Sequence, residues 1–430
     1  MPVRRLVAVS VAMLLATTCT AGEDPGPSRS PSISSGPPVE VRTGPTTALQ
    51  AIRRLCIPAD IPKGPVTRVP TPPTIAEVEN QVEAVRGLPF ERRVNVEPVT
   101  PEEIDRRLRE YLDVYYPKRF YARRSDAWAT IGAIPKDVGI LGAIDAYQQG
   151  QVLGFYDSQN GELVYTGDAD LDRLEHFVLA HELTHAIDDQ HFDLDRLDDL
   201  VVRCEDEPFQ AALGIVEGSA NHFATQVLLR FPVAASGSGS GAGPAAEVPP
   251  LMLEIFAYPY TEGQRFADAL ADAGGPAAVD RALRKFPTTT EQILHPSKYP
   301  GDVAEPVEVP DFAPTFGPRW RDHDVMVVGE VWLKALLNLR LDESGAASAA
   351  AGWDGGIYRA WNDGDDVAVI LSTVWDTPAD AEEFRGALSE WVSHGSGPGL
   401  VLAADGTRVH AGFGTSDSVM SAVSAALGSL

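Results

Sequence analysis

The spacing of apolar residues predicts a mostly helical chain with short strands in two places. Apolar side chains that recur every three or four residues predict helices, and apolar–polar alternation predicts strands. Helices are predicted at Thr74–Arg86, Pro101–Tyr116, Ser125–Ile134, Gly139–Gln149, Asp172–Gln190, Pro208–Arg230, Leu251–Tyr258, Gly263–Ala271 and Val325–Leu341. A strand is predicted at Arg92–Val99, and Asn160-Gly161 between two apolar runs predicts a hairpin over Val152–Thr166. The proline-rich segment Ala48–Pro73 is expected to be an extended strap over the core.

The last part of the chain has a different pattern. Strands are predicted at Gly356–Asn362, Asp366–Trp375, Gly399–Ala404 and Thr407–Gly412, and helices at Pro378–Val392 and Asp417–Leu427. This ββαββα order predicts a small α+β module at 346–430. Residues 47–345 are predicted to form one mostly helical domain with a small sheet, interrupted by a flexible Gly/Ser/Ala/Pro insertion at 234–250. The predicted fold class is therefore α+β.

A candidate metal site lies in the predicted helix Asp172–Gln190. Its sequence contains His181-Glu182-Leu183-Thr184-His185, which is the HExxH pattern. Residues four apart share one face of a helix, so His181 and His185 can offer two imidazole nitrogens to one metal ion. Glu182, the residue after His181, then points at the space beside that metal ion. Either Asp170 or Asp172 can cap the start of this helix.

A catalytic zinc ion normally has three protein ligands, so a third ligand is needed. Glu217, on the next long predicted helix, is the first choice, with Gly218 and Ala220 small enough to let that helix approach closely. Asn221, one turn further on, can hold a histidine ring by its other N–H. His191 is the alternative, since its spacing fits HExxHxxGxxH, although Asp188 stands where that pattern has the turn-forming Gly. Met252 is either a methionine beneath such a site or plain core.

These residues carry a resemblance to a known family. The segment His181–His185 with Glu217 downstream resembles the gluzincin branch of the zincin metallopeptidases, the thermolysin-like arrangement. The chain is also similar to exported bacterial proteins that carry HELTHA-x-DDQHF-like, VEG and TEQ-x-LHP segments. The zincin resemblance covers the hairpin at Val152 through Glu217, and it departs from the family at Asn221, where an acid is usual. It implies a zincin-like catalytic domain with an edge strand before the active-site helix.

The resemblance and the chemistry imply a mechanism. Zn2+ would be held by His181, His185 and Glu217, and Glu182 would act as the general base toward water. His295, in a polar loop with Glu291 and Tyr299, is the candidate donor to the developing oxyanion, and its alternative role is to cap a turn. The hairpin before the helix could also receive a peptide substrate along its edge, or be an ordinary core hairpin.

Charge and the N-terminal segment indicate the compartment. A formal net charge of -26 argues against nucleic-acid partners, which need basic surfaces. Residues 1–19 read as an export signal ending in a lipobox, in which Cys19 would be lipidated, and 20–46 read as a disordered tether. Cleavage near Ala21 is the alternative to lipidation. Cys56 and Cys204 are then left either as a disulfide or as two separate buried thiols.

Together these features predict an exported zinc metallopeptidase that is lipid-anchored to the outer face of the cell membrane, or otherwise secreted. Its partner would be a peptide or protein substrate, and its membrane contact would come only through the lipid on Cys19. The alternative from another class is a catalytically silent envelope binding or assembly lipoprotein on a zincin scaffold. A hydrolase acting on a non-peptide amide or on wall peptides is a third reading. The intact Glu182 favours an enzyme, since a scaffold has no need of a base beside the metal.

Overall fold

The computed structural model describes residues 47–55, 71–115, 118–148, 152–158, 161–166, 171–233, 248–395, 399–403 and 406–430. The predicted signal segment at 1–19 with Cys19, the predicted tether at 20–46, Cys56 and most of the predicted insertion at 234–250 lie outside these residues. Cys204 is disulfide-bonded, which is one of the two states expected for it. Within the described ranges, no helix is both long enough and apolar enough to cross a bilayer.

The described residues form a mixed α and β structure with two separate sheets, which agrees with the predicted α+β class. The helices are α1 (Ala48–Leu55), α2 (Pro73–Arg86), α3 (Pro101–Tyr115), α4 (Lys118–Ile131), α5 (Ile140–Gln148), α6 (Arg173–Phe192), α7 (Arg196–Val202), α8 (Asp206–Arg230), α9 (Pro250–Gly274), α10 (Pro276–Arg284), α11 (Thr290–Leu294), α12 (Ala313–Phe316), α13 (Glu330–Asn338), α14 (Glu343–Ala350), α15 (Pro378–Ser393) and α16 (Asp417–Leu427). The strands are β1 (Asn95–Pro98), β2 (Gly154–Asp157), β3 (Glu162–Tyr165), β4 (Arg321–Val327), β5 (Trp353–Asn362), β6 (Val367–Trp375), β7 (Gly399–Ala403) and β8 (Arg408–Gly414).

The small sheet lies beside the helix that carries the HExxH segment. Its strand order is β1-β3-β2, with β3 parallel to β1 and antiparallel to β2. The apolar face of the sheet, including Leu163 and Tyr156, packs with Leu179 and Leu183 of α6 in one buried cluster. Strand β2 is at one edge of the sheet, and it lies against α6.

The second sheet has the order β4-β5-β6-β8-β7, and every pairing in it is antiparallel. Both faces are covered. On one face, Val369 and Leu371 share a buried cluster with Phe384 of α15 and Trp128 of α4. On the other face, Ile370 lies in a cluster with residues of α16 and α1. Coverage on both faces explains why every residue of β6 is buried and why all but Ser372 and Thr373 are apolar.

The predicted ββαββα order is confirmed for β5 to α16, and the sheet gains β4 at its edge. The predicted helix Val325–Leu341 is wrong at its start, because residues up to Val327 belong to β4 and the helix covers Glu330–Asn338. Strand β4 therefore joins the sheet from the part of the chain that was assigned to the preceding domain. One continuous core cluster connects the sheet to α4, α5 and α13, so the two parts are packed as one body.

Two further sequence predictions need correction. Ala48–Leu55 is a helix whose buried face packs on the second sheet, and not part of an extended strap; residues 56–70 of the predicted strap lie outside the described residues. The two predicted helices Leu251–Tyr258 and Gly263–Ala271 are one helix, α9, which runs through Pro259. This continuity places Tyr260 and Gly263 on the same helix, and it determines how the site is built.

Candidate metal centre

Helix α6 carries the two histidines and is fixed at its start by a capping box. The Asp172 side chain accepts from the Glu175 backbone N–H, and the Glu175 side chain accepts from the Asp172 N–H. From His176 onward nearly every residue of the helix is buried, because the small sheet, α2 and α8 surround it. The predicted helix and its Asp172 cap are confirmed, and the helix presents His181 and His185 on one face.

Helix α8 brings Glu217 to the same point. The Oε2 atom of Glu217 lies 3.1 Å from Nε2 of His181 and 3.4 Å from Nε2 of His185, and the two Nε2 atoms are 2.9 Å apart. Ligand atoms of a tetrahedral zinc ion, each about 2.0 to 2.1 Å from the metal, lie about 3.3 Å from one another. All three side chains are at most 1% exposed. The geometry of these three groups therefore fits a metal ion with three protein ligands.

Asn221 determines which nitrogen of His181 carries the proton. Its Nδ2 donates to the backbone carbonyl of Tyr260 at 3.0 Å, so its Oδ1 is the atom that faces His181 Nδ1 at 2.9 Å. An amide oxygen only accepts, so the ring proton is on Nδ1. The lone pair on Nε2 is then directed at Glu217. This is the tautomer that a metal ligand requires, and the amide holds the ring in place as an outer partner.

The protonation states of Glu217 and His185 also suit metal binding. Burial by itself would raise the pKa of Glu217, but the adjacent imidazoles of His185 and His181 outweigh burial and lower that pKa to about 2. Burial lowers the pKa of His185 to about 4, in spite of the opposing charge of Glu217. At neutral pH the group therefore holds an ionised carboxylate and a neutral imidazole, which are the forms that bind metal.

Two glycines let helices α8 and α9 touch backbone to backbone. A Cβ atom at Gly218 would lie closer than 3.0 Å to backbone atoms of Gly263, and a Cβ at Gly263 would overlap the backbone of Gly214. Gly218 was expected to permit close helix approach, and the helix it admits is α9. The contact brings Tyr260 beside the three candidate ligands, where its hydroxyl hydrogen-bonds to Glu217.

Sequence reasoning missed Tyr260. The predicted helices Leu251–Tyr258 and Gly263–Ala271 left Tyr260 between them, next to Pro259, a residue type that normally ends a helix. The available signal was Gly263, three residues further on and therefore on the same face of a continuous helix. In the structure the hydroxyl of Tyr260 is the polar group that α9 contributes beside Glu217.

Glu182 lies next to this group and is held by the edge strand. Its Oε2 accepts from the backbone N–H of Tyr156 in β2 at 2.8 Å, while its Oε1 has no hydrogen-bond partner among the described residues. Burial and the nearby charge of Glu217 raise the pKa of Glu182 well above its usual range. The outward N–H of Tyr156 is thus already engaged, so a substrate strand can pair there only after Glu182 releases it.

His191 does not reach His181, His185 and Glu217. Helix α6 continues through Phe192, and at 1.5 Å per residue His191 is about 9 Å along the axis from His185. Its Nε2 instead lies 2.8 Å from the carbonyl oxygen of Pro89. Helix α6 therefore carries His191 away from the two histidines, and the carboxylate that meets them is that of Glu217.

The two acids after His185 stabilise the helix instead of facing the metal ligands. Asp188 receives hydrogen bonds from the buried Arg86 at 2.7 Å and from Ser219 at 2.8 Å, which ties α2 and α8 to α6. Asp189 accepts from the hydroxyl of Tyr156 at 2.9 Å.

The structure does not bring His295 to this group. His295 follows α11, and its Nε2 lies 2.9 Å from Oε1 of the buried Glu330. Among the described residues, the cluster of metal-ligating side chains comprises His181, His185 and Glu217, without His295. The ring of His295 is paired with Glu330, and the hydroxyl that lies beside Glu217 is that of Tyr260.

One comparison with known proteins gives a match, and it lies outside the metal centre. A family described as a domain of unknown function, DUF8575, matches residues 318–424. This span begins before β4 and ends within α16, so it contains the five-stranded sheet together with α13, α14, α15 and most of α16. No curated protein and no solved structure matches the chain. The comparisons thus relate the sheet region of this chain to that domain.

Proposed function

We propose that this protein is a zinc-dependent metallopeptidase of the gluzincin type, built on a zincin-like catalytic region. The observation that carries the proposal is the convergence of His181, His185 and Glu217 on one point, with Glu182 beside them. Two imidazoles from one helix turn and a carboxylate from the following helix form the donor set of thermolysin-like catalytic zinc sites. The Asn221–His181 hydrogen bond supports it, since metal-ligating histidines are normally held this way.

Zinc bound by these residues would supply Lewis acidity, which makes water a nucleophile near neutral pH and polarises a peptide carbonyl. Glu182 takes a proton from the attacking water as the C–O bond forms. It then gives that proton to the amide nitrogen as the C–N bond breaks, so the products are a carboxylate and an amine. The free Oε1 of Glu182 is the atom available for this transfer, since Oε2 is held by Tyr156.

Tyr260 is the candidate donor to the oxyanion. Its hydroxyl already lies beside Glu217, so it can donate to the oxygen that becomes negative in the transition state. This role replaces the one first considered for His295.

We further propose that the enzyme is exported and held at the outer face of the cell membrane through a lipid on Cys19. The substrate would be a peptide or protein reached from this surface, and the net charge of -26 disfavours nucleic acid as a partner. Detergent-phase partition of the full chain and of Cys19→Ala tests the anchor: the variant is expected to move to the aqueous phase. Equal partition of both proteins would contradict the anchor without affecting the peptidase.

The function is tested by hydrolysis of casein and of a quenched-fluorescent peptide library with the zinc-loaded protein. Activity is expected, is removed by a chelator and returns with Zn2+. Glu182→Gln is expected to lower kcat at least a thousandfold while still binding one zinc, because the base is lost and the ligands remain. Glu390→Gln, an exposed acid on α15, is the matched control and should keep full activity. If the wild type binds zinc but hydrolyses no peptide, the peptidase proposal is wrong and the catalytically silent lipoprotein is favoured.

A further inference from the structure

A pocket of about 420 Å³ lies beside strands β7 and β8 of the five-stranded sheet. Its wall is formed by the ends of α4, α13 and α15, the first residue of α9, and residues of the two strands. None of the three candidate metal ligands lines it. Sites for small molecules usually have volumes of about 300 to 1,000 Å³. The pocket is therefore large enough for a ligand, and it is separate from the metal centre.

The charged side chains in the wall of this pocket are cations. Arg340, which follows α13, and Lys136, in the turn after α4, both line it, whereas the described residues of the wall include no Asp or Glu. The whole chain has a formal net charge of -26, so a wall of this kind stands out from the rest of the molecule. Local positive charge attracts anions and disfavours cations. The pocket is thus suited to an anionic ligand.

Arg340 has no counter-ion in the described part of the chain. By contrast, the guanidinium of the buried Arg124 is bonded to Asp206 and to Asp324. Burial lowers the pKa of Arg340, and no carboxylate offsets this effect. Its hydrogen bond within the described residues runs from Nη1 to the carbonyl oxygen of Trp391 at 2.9 Å. Since a guanidinium has five N–H donors, the other four are available to a ligand.

The guanidinium of Arg340 is held in place by its neighbours. Its central carbon lies 3.5 Å from the centre of the Trp391 ring, which is a cation–π contact. A Cβ atom at Gly132 would lie closer than 3.0 Å to Nη2, and a Cβ at Gly395 would lie closer than 3.0 Å to Nη1. The backbone can approach the guanidinium this closely only because both residues lack a side chain. A group that is already fixed loses little conformational entropy when it binds a ligand.

Trp391 contributes a second donor to the same wall. Its side chain is buried, and its indole N–H has no hydrogen-bond partner among the described residues. A buried donor without a partner is costly, and an acceptor atom that reached this N–H would remove the cost. The unpartnered N–H therefore favours a ligand that carries oxygen acceptors.

The rest of the wall favours an apolar body on the ligand. Ile134, Leu339 and Phe413 are among the residues that line it. An apolar cavity of about 150 Å³ is enough to bind benzene in a protein interior. A pocket of about 420 Å³ therefore has space for an aromatic ring or an equivalent aliphatic group as well as the anionic group.

We propose that this pocket binds an organic carboxylate, with the carboxylate paired to Arg340 beside Lys136 and the apolar body of the ligand against the remaining wall. The planar guanidinium matches a carboxylate in a bidentate arrangement. A carboxylate carries one negative charge, so the acidic protein repels it less than a doubly charged phosphate ester. Arg340 and Trp391 lie within the span 318–424 that matches the domain of unknown function, and Lys136 lies outside it. Ligand binding would thus be a role of that domain together with the turn after α4.

The test is calorimetric titration of the full chain with 4-phenylbutyrate, with its uncharged amide and with phenyl phosphate. The carboxylate is expected to bind at least tenfold more tightly than the amide, because the amide has the same shape and lacks the charge-assisted hydrogen bonds. Arg340→Met should remove this preference. Lys136 is exposed, so Lys136→Met keeps the fold and should weaken carboxylate binding about threefold. Arg385→Met, on α15 and paired with Glu382 outside the pocket, is the matched control and should bind like wild type.

Equal affinity for the carboxylate and the amide, or no binding of either, would overturn the proposal. An unchanged preference in Arg340→Met would overturn the role of the guanidinium and with it the site. Tighter binding of phenyl phosphate than of 4-phenylbutyrate would overturn the carboxylate as the ligand class. The comparison of carboxylate with amide uses wild type alone, so it decides the proposal even if Arg340→Met does not fold. None of these measurements depends on hydrolysis of a peptide.

Discussion

The contact between Gly218 and Gly263 gives the sharpest test of how the site is held together. In the variant Gly218→Ala the new Cβ would lie closer than 3.0 Å to backbone atoms of Gly263. Ordinary carbon contacts begin at about 3.5 Å, so α9 must retreat by roughly 1 Å. The clash is with backbone, and no change of rotamer can relieve it.

The expected cost follows from two opposing effects. Overpacking costs about 1 to 3 kcal/mol, and a rigid backbone contact belongs at the upper end, about 3 kcal/mol. Alanine is the better helix former by about 1 kcal/mol. The net loss in free energy of unfolding is therefore about 2 kcal/mol. A retreat of roughly 1 Å also stretches the bond from Asn221 Nδ2 to the Tyr260 carbonyl from 3.0 Å to about 4 Å.

Loss of that bond frees the Asn221 amide and with it the ring of His181, so zinc affinity is expected to fall at least about tenfold. The measurements are urea unfolding in the presence of a chelator, which reports the metal-free protein, and zinc titration against a chromophoric chelator. Gly386→Ala on α15 is the matched control, because a Cβ there meets nothing within 4 Å. It should stabilise by about 0.5 to 1 kcal/mol and leave zinc affinity unchanged. Equal effects of the two substitutions would refute the close helix contact as the basis of the site.

Three further predictions concern single buried groups. Asn221→Leu removes the acceptor of His181 Nδ1, so zinc binds about 10 to 100 times more weakly in a chelator competition. Arg86→Met leaves the buried carboxylate of Asp188 without its cation, so urea unfolding should show a loss of about 3 to 5 kcal/mol. Burial raises the pKa of Asp198 to about 9. The folded protein therefore keeps a proton that the unfolded chain loses above about pH 4, and the free energy of unfolding falls from pH 4 toward pH 9. Asp198→Asn removes that fall and should stabilise at pH 7 by up to about 4 kcal/mol.

Each of these predictions has an outcome that would contradict it. An unchanged zinc dissociation constant in Asn221→Leu would mean that the amide does not orient the ring. Arg109 forms an ion pair at the surface, so Arg109→Met should lower the free energy of unfolding by less than about 1 kcal/mol. An equally small loss in Arg86→Met would show that burial of the Arg86–Asp188 pair is unimportant. For Asp198, parallel stability curves of variant and wild type between pH 5 and pH 8 would show that its carboxyl titrates normally.

The features of the site that depend on local sequence were predictable. The Asp172–Glu175 capping box and the spacing of His181 and His185 are properties of one helix, and neither requires knowledge of the rest of the fold. The position of Glu217 beside the two histidines was expected on chemical grounds, because a zinc ion needs a third ligand and this carboxylate is on the next long helix. His191, the alternative third ligand, does not reach the two histidines for a local reason: no glycine turns the chain back toward them.

The features that depend on packing between distant segments were not predictable from local pattern. Pro259 normally ends a helix, but the buried residues Tyr258 and Phe266 on either side hold α9 together across it. Tyr260 was missed for this reason. Likewise Val325 fits a helical spacing, yet β4 is a strand because it pairs with β5.

His295 illustrates a different limit. A polar loop with a histidine and acids has the residue types of a catalytic donor, but residue type does not say which partner the ring will find. In the fold its partner is Glu330, from a helix that begins about thirty-five positions later in the chain. The sequence alone offers no signal that would separate this structural pair from a catalytic one.

The central claim is that His181, His185 and Glu217 together bind one metal ion. Equilibrium dialysis against Zn2+ followed by elemental analysis tests it directly, with wild type, Glu217→Gln and His185→Ala measured in parallel and Glu262→Gln on α9 as the control. One zinc per chain is expected for wild type and for Glu262→Gln, with occupancy falling well below one for the two ligand variants at the same free zinc. Wild type that retains no zinc, or ligand variants that retain it undiminished, would contradict the claim.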